Sequence, residues 1–239
     1  PTDVLELPDI QLMYSNDLVI FDNVKGRMHL VTHADPLEDG SFEQAHLRLD
    51  KMSLAMASEV PISLKVPEEG PEISEDDFLS SYGKESFLAD IKRIKEYILE
   101  GDVMQVVLSQ RMSVPFESDP LNFYRALRSL NPSPYMYFLD LEDLQIVSSS
   151  PEILAKLENS LVTARPLAGT RRRGLTQAED LELEEELLND EKEVAEHLML
   201  IDLGRNDIGK VCSSGTVVVS EKMVVERYAQ VMHIASNVQ

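Results

Sequence analysis

Asn189-Asp190-Glu191-Lys192-Glu193-Val194-Ala195-Glu196-His197-Leu198-Met199-Leu200-Ile201-Asp202-Leu203-Gly204-Arg205-Asn206-Asp207 reads as one capped helix. Asp190 can accept from the first free backbone N–H groups, and Glu193, three residues on, can reach back to complete a capping box. Gly204 is placed to stop the helix after an apolar run. Glu193 and Glu196 are spaced i, i+3 and His197 is i+4 from Glu193, so the three share one face near the helix start. Two carboxylates one turn apart can hold Mg²⁺, which prefers oxygen ligands. The same spacing describes a solvated acidic face, and spacing alone leaves both readings open.

Working outward, an acid-rich helix is expected over 178–188, just before this one. Downstream lie a strand at 216–219 and a closing segment, 228–238, in which His233 shares a face with Val231 and Ala235. Upstream, strands are predicted at 135–139, 144–148, 153–157 and 161–165, the last two joined by an Asn159-Ser160 hairpin turn. Asp119-Pro120 opens a helix with the stripe Leu121, Tyr124, Leu127 and Leu130. Phe87, Ile91, Ile94 and Ile98 mark another helix, closed by Gly101. Val103–Met112 reads as a strand by its β-branched content, with Gln105, Ser109 and Arg111 on one face. Near the N-terminus, strands are expected at 10–14, 18–21 and 27–32, then a helix capped by Ser41 with Phe42, Ala45, Leu49, Met52 and Met56 on its apolar face.

Grouped strands with hairpin links predict an α+β chain with mainly antiparallel sheets packed with helices. Three regions follow: a strand and helix part over 1–60, an acidic, Pro-rich surface linker over 61–81, and a core over 82–239.

The chain has 239 residues and 43% apolar content, enough for a substantial core. Its net charge of −21 argues against nucleic acid or an anionic membrane as the main partner, since phosphates demand excess Lys and Arg. Cys212 is the only cysteine, and no signal-like N-terminus is visible, so a reducing cytoplasmic setting is expected. No apolar run approaches membrane-spanning length. The chain begins without Met and ends inside an apparent strand, which suggests a piece of a longer protein.

Gly169-Thr170 is the best anion-binding candidate, because glycine admits a ligand close to the backbone and threonine adds hydroxyl and N–H donors. An ordinary turn fits the dipeptide too. The segment 167–174 reads as a glycine-bracketed basic loop, whose Arg171–Arg173 can steer an anion or pair with the acidic stretch after it. His233 can serve as a general acid or base, or as a structural strand histidine.

Four segments in order, Gly101–Arg111, Pro166–Gly174, Glu193–Lys210 and Glu226–Val238, resemble the chorismate-binding enzymes, most closely the large subunits of anthranilate synthases. The resemblance runs from about Ser81 to Gln239 and is loose over 1–60. It implies that Glu196 ligates Mg²⁺ and Glu193 supports that site. It further implies that Gly169 and Thr170 bind a carboxylate of chorismate, and that His233 assists loss of the ring hydroxyl. Pro134, Tyr135 and Met136 match the segment that lines a tryptophan feedback pocket. Water-adding relatives carry a lysine base where this chain has Gln105, and a neutral amide cannot take a proton from water, so ammonia addition is expected. Aminodeoxychorismate enzymes often carry a nucleophilic lysine where Ala168 stands.

The implied chemistry is Mg²⁺-dependent amination of chorismate with pyruvate elimination, giving anthranilate. Ammonia would come from a glutamine amidotransferase subunit. Family members continue beyond the His233 motif with further substrate-binding residues and a second Mg²⁺ glutamate, so the chain as given is expected to be inactive or nearly so. An aminodeoxychorismate synthase and a non-catalytic regulatory module are the alternatives.

Overall fold

The structure, a computed structural model, describes residues 5–58 and 73–239. It divides the chain into two compact units, Pro1–Glu72 and Ile73–Gln239. Most of the expected linker lies outside the described residues.

In the first unit, β1 (Asp17–Asp22) and β2 (Arg27–Thr32) form an antiparallel hairpin, and α1 (Ser41–Ala57) packs on β2. Arg48 of α1 ties the three together. Its guanidinium reaches Asp17 Oδ1 at 3.1 Å, Thr32 Oγ1 at 3.0 Å and the His33 carbonyl at 2.6 Å. Residues 10–14 form no strand among the described residues. Ser41 is not the cap. Gly40 fills that place in a left-handed conformation, and Ser41 is the buried first residue of the helix.

The second unit opens on a short 3-10 turn (Glu75–Asp77) and β3 (Leu79–Ser80), so the end of the segment read as linker is ordered structure. α2 (Lys84–Glu100) follows, closed by Gly101 in the left-handed region as its position predicts. The strand expected over 103–112 shrinks to β4 (Met112–Ser113), paired with β3. A strand is defined by the ladder it joins, and among the described residues the segment 103–110 joins none. Met104 and Val107 are accordingly 81% and 85% exposed.

α3 (Pro120–Leu130) starts where Asp119 accepts from the Leu121 N–H. It packs on β5 (Tyr135–Asp140) and β6 (Gln145–Ser150), an antiparallel pair. β7 (Lys156–Glu158) and β8 (Leu161–Thr163) make the predicted hairpin, turning through Asn159 and Ser160 at φ 49° and 68°.

The core is a three-stranded antiparallel sheet in the order β10-β11-β9. β9 (Leu167–Arg172) runs through the segment read as a basic loop. β10 (Val219–Arg227) begins where the 216–219 strand was expected to end. β11 (Val231–Val238) is the centre, with Met232, Ile234, Ala235, Ser236 and Val238 fully buried. Against it pack α4 (Gln177–Asn189) and α5 (Glu191–Gly209). Leu187 of α4 joins Met232 and Ile234 in one cluster, and Ile201 and Ile208 of α5 join Val238 in another. Every strand pairing among the described residues is antiparallel, as the α+β reading requires.

Asp190 caps α5 as expected, accepting from the N–H groups of Lys192 and Glu193. The capping box does not form, because the Asp190 N–H is already given to the Leu187 carbonyl at the end of α4. Gly204 does not stop the helix, which runs to Gly209. It instead faces Val238 and Ala164, where a Cβ would sit in ordinary van der Waals contact.

Gly174, after β9, has no such room. A Cβ there would lie 2.3 Å from the Asp180 backbone nitrogen. Gly174→Ala should therefore destabilise the chain by about 3 kcal/mol through forced displacement of the α4 start. Gly209→Ala, which meets open space, should stabilise it by up to about 0.5 kcal/mol. Urea unfolding of the two variants checks the contrast.

Candidate active site

Candidate residues converge where β9, β11 and the start of α5 meet. Between His233 and Ile234 the β9–β11 register shifts by one residue, and Gly169 is the extra residue, at φ 66°. This is a glycine bulge, a device that re-aims neighbouring side chains. It sets Thr170 directly opposite His233. The His233 Nδ1 lies 3.1 Å from Thr170 Oγ1 and 3.1 Å from the Gly169 carbonyl oxygen. A side chain at Gly169 would be strained by its φ and would place a Cβ 2.9 Å from Leu187 Cδ1.

Glu193 faces the bulge from α5. Its Oε2 lies 3.4 Å from where a Gly169 Cβ would stand, and its side chain is largely covered. One turn on, Glu196 Oε1 accepts from Gln105 Nε2 at 2.9 Å, joining positions 91 residues apart. Gln105 thus reaches the site without the strand that was expected to carry it. The structure brings Gly169, Thr170 and His233 into contact with one another, and Gln105 into contact with Glu196. Pro134, Tyr135 and Met136 stand apart from these contacts, at the start of β5 on its own two-stranded sheet, with Pro134 and Tyr135 exposed and Met136 half-buried.

His197 is not on a shared polar face with Glu193 and Glu196. It is fully buried, with Nε2 2.7 Å from Ser236 Oγ, and burial alone pulls its pKa below the usual imidazole value. Ser236 in turn accepts from the Met223 N–H at 2.9 Å, so α5 is hydrogen-bonded through β11 to an irregular point of β10. Among the described residues no group of three or more His, Cys, Asp or Glu side chains gathers as a metal site. Mg²⁺ commonly takes one or two carboxylates and completes its shell with waters and substrate oxygens. The Glu193 and Glu196 pair fits that partial role.

A second group around His233 was not visible in the sequence. Tyr228 packs edge-on to the His233 ring, centroids 5.7 Å apart, and its hydroxyl donates to Glu226 Oε2 at 2.6 Å. Glu226 lies opposite His233 in the β10–β11 ladder and also accepts from Arg165. Arg165 further donates to Glu221 at 3.0 Å. Glu226 and Tyr228 lie within the Glu226–Val238 segment, but nothing in the sequence set Arg165 beside them.

The arginine run settles the other way from anion steering. Arg171 pairs with Glu186 and Asp190, Arg172 with Glu179, and Arg173 forks Nε and Nη2 onto Asp180. In a chain of net charge −21, these cations are occupied by the acidic stretch that follows them. A cavity of about 540 Å³ lies beside the later turns of α5, lined by Leu200, Leu203, Gly204 and Ile208 among others; Arg165 borders it, while Gly169, Thr170, His233, Glu193, Glu196 and Gln105 do not.

The family model described as chorismate binding enzyme matches residues 1–239. That extends over the N-terminal part, where the sequence resemblance was loose. The chain is 52% identical over 236 residues to anthranilate synthase component 1 of Pseudomonas putida, covering 99% of this chain and 48% of that protein. Among solved structures, it matches anthranilate synthase component I from Streptococcus pneumoniae TIGR4 with a TM-score of 0.78 and 36% identity, over 93% of this chain and 48% of that one. The menaquinone-specific isochorismate synthase of Escherichia coli shares the fold, with a TM-score of 0.60 at 16% identity over 89% of this chain and 48% of that one. The chain spans about half the length of the curated relatives it matches. No described helix is long and apolar enough to cross a membrane.

The Arg173–Asp180 fork has a pH signature. Arg173 and the Gly174 N–H hold the Asp180 carboxyl down at about 2, against about 3.9 in an unfolded chain. The folded form therefore binds fewer protons, and the stability from this group is complete above pH 4 or so and fades as pH falls towards 2. Asp180→Asn should be less stable at pH 6, with the gap to the parent narrowing between about pH 4 and 2. Urea midpoints across that range provide the check; a constant gap would contradict the assignment.

Proposed function

The chain belongs to the chorismate-binding enzymes, and on that premise we propose that it is part of the chorismate-converting subunit of an anthranilate synthase. The observation that carries the reading is the joining of Gly169, Thr170 and His233 at one bulge, from segments more than sixty residues apart. Each comes from a segment that resembles the anthranilate-forming branch. About 50% identity to proteins named anthranilate synthase component 1 supports the same choice.

In this reading a chorismate carboxylate lies on the Gly169-Thr170 segment, where the threonine hydroxyl donates to it. His233 gives a proton to the C4 hydroxyl as it departs. Ammonia adds at C2, and loss of the C2 proton with elimination of pyruvate then makes the ring aromatic. Gln105 orients the nucleophile: its Nε2 is committed to Glu196, since an ionised carboxylate only accepts, and its Oε1 accepts from ammonia. Ala168 offers no nucleophile for a covalent adduct, which disfavours an aminodeoxychorismate enzyme. Glu196, supported by Glu193, would hold Mg²⁺, which when bound neutralises carboxylate charge and favours departure of the hydroxyl.

The ammonia source is a glutamine amidotransferase subunit, and the setting is the cytoplasm. Pro134, Tyr135 and Met136 belong to a tryptophan feedback pocket, on a sheet apart from the chemistry. The 239-residue chain alone should release no measurable anthranilate from chorismate, Mg²⁺ and ammonium. Extended to the length of its relatives, it should release anthranilate, read by fluorescence, and His233→Ala should slow that by about 100-fold or more. Turnover by the short chain would contradict only its expected inactivity, whereas aminodeoxychorismate, or no anthranilate, from the long one would overturn the reading.

A further inference from the structure

His233 offers a single ring nitrogen, Nδ1, to two oxygens, the Gly169 carbonyl and Thr170 Oγ1, each at 3.1 Å. A carbonyl oxygen has no proton to give, so the hydrogen of that contact belongs to Nδ1. The opposite tautomer would set the ring lone pair against those of the carbonyl. With Nδ1 donating, Thr170 Oγ1 accepts as well, and its own proton is free to turn to a ligand. The neutral ring then carries its lone pair on Nε2. The aim of the carbonyl is itself a product of the bulge, since Gly169 takes a φ of 66° that other residues rarely adopt.

The ring is held independently of that hydrogen bond. Tyr228 lies edge-on to it, tied at its hydroxyl to Glu226, and Glu226 is tied to Arg165. The Tyr228 N–H is in turn bonded to the Val231 carbonyl at 2.8 Å, which fixes the tyrosine at the β10–β11 turn. Burial and the neighbouring Glu226 push the phenol up to about 12, so it remains a donor to the carboxylate.

We propose that the Gly169 carbonyl selects the Nδ1–H tautomer of His233 and that Tyr228, Glu226 and Arg165 are positioning residues for its ring, leaving Nε2 to exchange protons with substrate. The proposal rests on His233 acting as an acid. In that step the imidazolium Nε2–H passes its proton to the departing hydroxyl oxygen, which takes the C–O bonding pair and leaves as water. The ring returns to the neutral Nδ1–H form.

The test is long-range ¹H–¹⁵N NMR of the labelled chain, without ligand, at a pH where His233 is neutral. The Nδ1–H tautomer should exceed the other by about tenfold, the preference that one hydrogen bond supplies. Tyr228→Phe keeps the ring contact but loses the hydroxyl, and Glu226→Gln keeps shape but loses charge. In both, the tautomer should persist while the order parameter of the His233 ring falls. A predominant Nε2–H tautomer in the parent would overturn the carbonyl's role. Unchanged ring order in both variants would overturn that of Tyr228 and Glu226. Neither readout involves chorismate, so each can fail while anthranilate formation succeeds, and the reverse.

Discussion

The bulge at Gly169 is the constraint on which the rest of the site depends. β9 and β11 could pair in simple register only with Thr170 and His233 displaced from each other. One glycine in the left-handed region absorbs the extra residue, sets the pair opposite and turns its own carbonyl to the imidazole. The same position must also be bare. Leu187 and Glu193 close on it from α4 and α5, so side chains of both helices crowd the point where the strand bulges. Conformation and packing here demand the same residue.

The helices are held at that distance by two different means. Apolar burial supplies the first: Leu187 with Met232 and Ile234, and Ile201 and Ile208 with Val238, lock α4 and α5 onto β11. Charge supplies the second. β9 and the residue after it carry Arg171, Arg172 and Arg173 across to Glu179, Asp180, Glu186 and Asp190 on or between the helices. A chain with a large acidic excess would otherwise repel itself in this region, and arginine forks convert the excess into docking contacts. The fully buried His197–Ser236 hydrogen bond adds a polar pin between α5 and β11, near Glu193 and Glu196.

Local chemistry was legible in the sequence where it is self-contained. Asp190 and Asp119 cap their helices, Gly101 ends α2 and Asn159-Ser160 turns a hairpin, because each depends on a few adjacent residues. Reading failed where the outcome depends on a distant neighbour. Val103–Val107 has strand composition but no ladder edge. Gly204 has the look of a stop yet faces Val238 and Ala164, and the Glu193 cap was pre-empted by the Leu187 carbonyl.

The motif segments themselves, with Glu193, Glu196, Gly169, Thr170 and His233 among them, were in view from the sequence, since residue type and order along the chain are its own content. It determined as well that the chain would be α+β with antiparallel pairing, from hairpin-length links between grouped strands. Only the tertiary structure decided that Gln105 meets Glu196, that Arg171–Arg173 are spent on carboxylates, and that Tyr228, Glu226 and Arg165 stand around His233. Such contacts arise from register and bulges between strands, and a shift of one residue would send each side chain to the opposite face.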